Sequence, residues 1–333
     1  MIKSDLAALW ELREKYFGED KEKEIEARIA RLLEAASALA PQERALAALV
    51  RGRALDARSE YCAEAEAELS RAVKLSPSSV DAWYGLGHVF WKKRDLRSAK
   101  ECFASANARR ANGPSSRALS MLARPRDYDE SVALARSAIE LDLDDPESWY
   151  VLGNACLSRY FAGAEGRNPS DLEDARRAYG LAEARLRDPQ VETNLEFGHP
   201  DLYFNRGHLR RYVEDYAGAC DDFLKSALLD PSLGGRETAD DVQRWAKRVH
   251  DLVVRKRGGL KPKRRAELAA KIKDRSTPFN VLAKGDRSRC LHASNNRGAR
   301  LHLVIALEIR RASLPPDIFL ALAPATDADD GLT

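Results

Sequence analysis

A chain of 333 residues that is 44% hydrophobic and 32% charged has ample apolar content for a packed core and still exposes much surface. Its net charge of +3 singles out no class of partner. Five scattered cysteines (Cys62, Cys102, Cys156, Cys220, Cys290), with no Cys-x-x-Cys pair, argue against a disulfide framework or a zinc site and fit a reducing compartment.

The opening Met1-Ile2-Lys3-Ser4-Asp5 lacks the apolar stretch of a signal peptide. No run approaches the roughly 18 apolar residues of a membrane span. The expectation is a cytoplasmic protein, with the nucleus also open, and no membrane partner. Residues 1–40 read as N-terminal helices. Two amphipathic ones are expected between Asp5 and Leu39, with Leu6, Leu9, Trp10 and Leu12 on one face of the first.

The chain then repeats itself. Ala65, Leu69 and Ala72 return 34 residues later as Ala99, Phe103 and Ala106, with Trp83, Leu86, Gly87 and Phe90 ahead of the second set. A leading helix around Leu46 to Ala57 precedes the first set. Leu119 and Ser120 with Ser131, Ala135 and Ala138 form a third unit, and Trp149, Leu152 and Gly153 with Ala175, Tyr179 and Ala182 a fourth. Tyr203, Gly207, Ala219 and Phe223 form a fifth. The steps from Ser131 to Ala175 and from Ala175 to Ala219 are 44, ten longer than the unit. The first surplus falls between the two helices of a unit, in Tyr160 to Ser170, and the second between units, around Asp188 to Pro200. This is the pattern of the tetratricopeptide repeat, a helix–turn–helix unit that buries its apolar faces only against its neighbours. The expected fold is all-α, a right-handed superhelical solenoid of about five units over residues 41–236. Residues 237–275 are read as a capping helix followed by a basic segment. Trp83 and Trp149 are read as core.

The repeat register assigns an inner face. Its second, fifth, ninth and twelfth positions include Asp81, Tyr84 and His88; Glu147, Tyr150 and Asn154; and Asp201, Phe204, His208 and Arg211. The third unit adds Met121 and Arg124. Aromatic rings and both signs of charge suit a mixed-charge peptide. Tyr84, Tyr150 and Phe204 stand where chaperone-binding repeats use lysine, which sets this chain apart from them.

From Arg244 to Arg275 thirteen Lys or Arg face three Asp or Glu. The densest part, Arg255 to Arg265, contains Gly258, Gly259 and Pro262 and reads as a loop. Phosphate contact, a nuclear import signal and a solvated surface loop all remain open for it. The chain carries no phosphate-binding glycine loop, no His-Glu-x-x-His and no nucleophile elbow, and its six histidines are dispersed. It reads as a non-enzyme without cofactor or metal.

Three stretches, Ala72 to Phe103, Ser148 to Phe161 and His199 to Pro231, together with the two ten-residue surpluses, resemble the tetratricopeptide repeat protein 5 (Strap) family over roughly residues 5–275. The resemblance implies an adaptor that recognises the nascent N-terminal peptide of tubulin at the ribosome and promotes tubulin mRNA decay through a decay adaptor. It also implies an alternative role as a nuclear scaffold for transcription and acetyltransferase cofactors, while a solenoid with a different ligand stays open. The family's peptide-holding arginine and aspartate correspond to Arg124 and Asp201. Its third acid falls near Gly235, with Glu237 two residues on. Its ribosomal-RNA-contacting lysines correspond to Lys261 and Lys263, beside Arg264 and Arg265. The family ends in an OB-fold. Ser276 to Asp286 resembles its entry, and residues 276–333 are expected to form a partial or aberrant barrel with a disordered Ala/Asp-rich end.

Overall fold

The computed structural model describes residues 2–257, apart from 17, 19, 125, 163–167 and 187–198. The chain divides into two compact units, Met1–Leu202 and Tyr203–Thr333. Every regular element among the described residues is helical. Unit 1 begins with α1 (Ile2–Lys15) and α2 (Lys21–Ser37). Four helix pairs follow: α3 (Arg44–Leu55) with α4 (Ala63–Leu75), α5 (Val80–Lys92) with α6 (Leu96–Arg109), α7 (Gly113–Ala123) with α8 (Tyr128–Leu141), and α9 (Pro146–Ala162) with α10 (Pro169–Leu186). The fifth pair, α11 (Pro200–Tyr212) and α12 (Tyr216–Leu229), lies in unit 2 from Tyr203 onward, followed by α13 (Gly235–Arg257). The fold is an all-α tetratricopeptide-repeat solenoid. The stretch expected to form a barrel, 276–333, lies outside the described residues.

The helices start where short polar side chains can take up free backbone N–H groups. Ser79 caps α5, Asn112 caps α7, and aspartates cap three second helices: Asp95 for α6, Asp127 for α8 and Asp215 for α12. Arg94 and Glu214 each precede such an aspartate, and both have φ of 67°. The repeat therefore makes the same left-handed turn twice, each time without glycine.

Within each pair a small residue on the first helix faces a larger one on the second. Phe103, Tyr179 and Phe223 are wholly buried, flanked by Ala99, Ala106, Ala175, Ala182 and Ala219. A methyl group on Gly87 would stand 2.8 Å from the Phe103 ring, and one on Gly207 would stand 2.7 Å from Phe223. The third pair solves the same crossing with different residues. Ser120 replaces the glycine and Ala135 replaces the ring. The spare room holds a reciprocal bond, with Ser120 Oγ donating to the Ser131 carbonyl at 2.7 Å and Ser131 Oγ donating back to the Ser120 carbonyl at 2.9 Å.

Two expectations change. Trp83 and Trp149 are half-buried braces rather than core. Their indole N–H groups donate to the Pro77 and Leu143 carbonyls at 2.9 and 2.8 Å, in the turns between repeats. Arg109 and Arg185 cover the two rings at 4.5 and 5.0 Å and donate to the same carbonyls. The first surplus begins after Ala162 rather than at Tyr160, because α9 runs on through a buried Tyr160 to Ala162, the residue before Gly163. On α13, Ala239, Val242 and Ala246 are buried, but Trp245 is 45% exposed with its ring on Tyr216 at 4.9 Å.

Two glycines of the fourth pair test this packing. Gly153→Ala places a methyl 2.5 Å from the Tyr179 ring and is expected to cost about 1–3 kcal/mol. Gly180, inside α10, has nothing within 4 Å of an added methyl. Gly180→Ala is expected to stabilise by about 0.5–1 kcal/mol through backbone entropy. Urea denaturation of the two variants checks the opposite signs.

Candidate functional site

The first helices of unit 1 carry the inner-face positions, and α1 covers one end of them. Trp10 donates its indole N–H to the Arg53 carbonyl at 3.3 Å and meets the His88 ring edge-on at 5.2 Å. The Arg53 guanidinium lies 3.8 Å over Trp10 and 5.4 Å from the Tyr84 ring. Beneath them sits Asp56, 1% exposed. It receives His88 Nδ1 at 2.8 Å, Lys92 Nζ at 2.9 Å and Arg53 Nη1 at 3.2 Å. Burial by itself raises the Asp56 pKa, but His88, Arg53 and Lys92 more than offset it and hold the group below the usual carboxylate range. Burial also lowers the pKa of His88. His88 thus occupies its assigned face, but its ring is engaged by Asp56 and Trp10 rather than turned to a ligand. An ion pair removed from water in this way is costly to break from one side.

Further along the face, α1 turns its end toward the repeats. Burial pushes the Glu14 carboxyl up, and the charge of Glu147 adds to the shift while Arg13, Arg53 and Arg117 oppose it. Side chains from α1, α3, α7 and α9 therefore act on one another in a shared space. A cleft of about 220 Å³ opens where α1 and α3 meet Asp81 and Tyr84 of α5.

The fourth repeat brings Tyr150, beside Asn154, within range of the charges of Arg124 and Asp201. Tyr179 donates its hydroxyl to Asn154 Oδ1 at 2.7 Å. The Tyr150 ring packs 6.3 Å from Tyr179 on one side and 4.3 Å from His199 on the other. The Tyr150 hydroxyl is pushed up to about 12, by burial first; Asn154 opposes the rise through a hydrogen bond, Asp201 and Glu147 add to it, and Arg124 opposes it by charge. Arg124 and Asp201 thus both act on one phenol, from the end of α7 and the start of α11. Arg124 is half-buried and Asp201 exposed. Neither side chain makes a hydrogen bond or ion pair with a described residue. Tyr150 thus lies within electrostatic range of a cation and an anion, a combination that suits a peptide bearing both charges.

His199 and Glu147 hold the platform in place, a pairing the sequence reading did not find. His199 is buried, its Nδ1 accepts from the Leu202 N–H at 3.1 Å, and its Nε2 meets Glu147 Oε1 at 3.0 Å. The available signal was the His-Pro-Asp run at the start of α11, which places a ring just ahead of a helix N-terminus. The Arg53–Asp56 pair was also missed: its spacing is a local i,i+3, but His88 and Lys92 of α5 and Trp10 of α1 join it only through tertiary packing.

Unit 2 has its own cluster. Phe204, His208 and Phe223 stack edge to face, at 4.7 Å for Phe204–His208, 5.0 Å for His208–Phe223 and 5.7 Å for Phe204–Phe223. His208 is exposed, and its pKa is lowered by burial of the ring and then by the Arg211 charge. Behind the cluster, Arg206 grips the fully buried Asp222 with two bonds of 2.8 Å, and Arg210 adds a third contact at 3.0 Å. Lys261, Lys263, Arg264 and Arg265 lie outside the described residues. Among the described residues no three His, Cys, Asp or Glu side chains group as a metal site, and no helix is long and apolar enough to cross a membrane.

The His199–Glu147 contact has a pH signature. Burial pulls the His199 pKa down, but Glu147 outweighs it and the net shift is upward from 6.5. A histidine raised in the folded state adds stability below the unfolded pKa and loses it as pH rises through the folded value. With Glu147 half exposed, the contact is worth about 0.5 kcal/mol after screening. Glu147→Gln is therefore expected to destabilise at about pH 6 and to be near neutral at about pH 8, read as the difference in urea midpoints from wild type.

A tetratricopeptide-repeat family model matches residues 80–112. Curated relatives are similar over a longer span. Tetratricopeptide repeat protein 5 of Mus musculus is 40% identical over 200 residues, covering 57% of this chain and 43% of that protein. Its Homo sapiens counterpart is 37% identical over 224 residues, covering 64% and 48%. The Bos taurus counterpart is 39% identical over 194 residues, covering 55% and 42%. The matched region thus spans less than half the length of these relatives. Among solved structures, the APC/C hetero-tetramer Cut9-Hcn1 aligns over 71% of this chain and 41% of its own, with a TM-score of 0.57 at 19% identity, a likeness of fold alone.

Proposed function

We propose that the chain, in keeping with its similarity to tetratricopeptide repeat protein 5, is a protein-interaction adaptor whose ligand is the nascent N-terminal peptide of tubulin, read at the ribosome as a step toward tubulin mRNA decay. In this reading the protein is non-enzymatic, needs no cofactor and acts in the cytoplasm. What supports it is the ring cluster of Tyr150, Tyr179 and His199, with Arg124 and Asp201 within electrostatic range of the Tyr150 hydroxyl. Arg124 and Asp201 are the two positions that the family resemblance assigns to peptide charges. Arg124 would take the acidic group of the peptide and Asp201 a basic one, with Tyr150 beneath the chain between them. Asn154, His199 and Glu147 would keep the platform in place. Phe204, His208 and Arg211 belong to the same reading as a further peptide-facing cluster within unit 2.

Ribosome contact is assigned to Lys261, Lys263, Arg264 and Arg265. Their dense positive charge suits ribosomal-RNA phosphate, and affinity of that kind falls as salt rises. The same basic run supports the second reading, a nuclear scaffold for transcription cofactors, in which it would act as an import signal.

Pulldown of ribosomes bearing a short nascent tubulin chain tests both halves. Arg124→Ala is expected to weaken capture of the peptide about 10- to 100-fold, the loss of a charge-assisted bond, and to leave binding to empty ribosomes intact. Lys261→Glu with Lys263→Glu is expected to abolish ribosome binding and to leave affinity for the free peptide unchanged. Unchanged peptide affinity in Arg124→Ala would remove the assignment. If deleting residues 255–265 abolishes nuclear entry and spares ribosome binding, the scaffold reading stands in its place.

A further inference from the structure

Repeats two and four carry the same two groups at the same two places: an acid at the second position of the first helix and a tyrosine at the fifth. These are Asp81 with Tyr84 and Glu147 with Tyr150. Each tyrosine leans on the large residue of its own second helix, Phe103 at 5.5 Å and Tyr179 at 6.3 Å. In repeat four the pair is filled. His199 lays its ring 4.3 Å from Tyr150 and brings a ring nitrogen within 3.0 Å of Glu147. The protein thus supplies its own example of what an acid–tyrosine pair holds: a flat ring with a donor at its edge.

In repeat two no described residue plays the part of His199. The Asp81 carboxylate is exposed and makes no hydrogen bond or ion pair with a described residue. Arg53 approaches Tyr84 only to 5.4 Å, its guanidinium being committed to Trp10 and Asp56. Beside Asp81 and Tyr84 the cleft of about 220 Å³ opens, walled by Leu6 and Trp10 of α1 and by Leu46 and Val50 of α3, with Lys3 among its lining residues. It is smaller than the roughly 300–1,000 Å³ of sites for whole drug-sized molecules and suits one large side chain.

We propose that the Asp81–Tyr84 cleft is a subsite that takes a tryptophan or tyrosine side chain of a partner peptide, its ring packed among Leu6, Leu46 and Tyr84 beside the Arg53-covered Trp10, and its N–H or O–H donated to Asp81. Charge decides between this occupant and a second histidinium. Around His199 two acids, Glu147 and Asp201, favour a protonated ring. Around the cleft Lys3 and Arg53 set two cations against Asp81, so a neutral ring with a single donor is preferred. Aromatic walls and an acceptor at the rim are the features that select tryptophan and tyrosine elsewhere. The subsite rests on the reading that unit 1 binds peptides, but it does not require the peptide to be tubulin's.

The full chain labelled with 5-fluorotryptophan tests it, with Trp10→Phe assigning the Trp10 fluorine signal. N-acetyl-tryptophanamide is expected to move that signal saturably. Asp81→Ala is expected to weaken the effect about tenfold, the loss of one charge-assisted hydrogen bond. Arg124→Ala is expected to leave it unchanged, so failure here is separate from failure of the tubulin reading. Three results would overturn the subsite: no saturable shift at Trp10, an equal response to N-acetyl-leucinamide, or an unchanged affinity in Asp81→Ala. An equal loss in Arg124→Ala would also do so, by showing that the probe reports the Arg124–Asp201 face.

Discussion

The close crossing of the two helices in each repeat is the constraint on which the rest depends. It is met by a missing side chain on one helix and a large one on the other: Gly87 under Phe103, Gly153 under Tyr179, Gly207 under Phe223. Interiors pack at crystal-like density, so the gap admits one solution or its mirror in volume, and Ser120 opposite Ala135 is the mirror. Once the crossing is set, the azimuth of the first helix follows, and with it the direction of the second and fifth positions. Asp81 with Tyr84, and Glu147 with Tyr150, thus take the same azimuth in their own repeats, six and three residues ahead of Gly87 and Gly153.

Charge plays a second structural part. Asp56 and Asp222 are almost wholly removed from water, and each is gripped by arginine and further cations. Such pairs contribute little net stability against an apolar substitute, yet each is expensive to leave half made. They fix the rotamers of side chains next to the inner face. The consequence for binding is preorganisation, since a ligand meeting Tyr84 or Tyr150 finds rings already held by their neighbours.

The repeat grammar was legible because it is periodic and local: the helix pairs, the small–large crossings and the inner-face register follow from spacing alone. The helix register that assigns Tyr150, Arg124 and Asp201 to one face was read for the same reason. What spacing could not show is which inner-face residues the protein uses for itself. His88 is consumed by Asp56 and Trp10 because α1 folds back over the first repeats, a tertiary event with no periodic trace. His199 was one of six dispersed histidines, and only its contact with Glu147 reveals it as a support. Trp83 and Trp149 were misjudged as core because their large rings suggested filling, whereas their indole N–H groups are drawn to carbonyls left open at the turns.

Those two indoles have a consequence for the joins between repeats. Each is stacked under an arginine and ties a turn between repeats at one carbonyl, Pro77 before α5 and Leu143 before α9. The intervening turn, Arg110 to Asn112, has no such brace. It is held by Asn112, whose N–H donates to Asn107 at 3.0 Å and whose side chain donates to the Arg110 carbonyl at 2.8 Å. Repeats one and two, and repeats three and four, thus share a turn fastened by an indole under an arginine, whereas the turn between repeats two and three is fastened by asparagine. The join between the couple bearing Tyr84 and the couple bearing Arg124 and Tyr150 is therefore built from different chemistry than the joins within each couple.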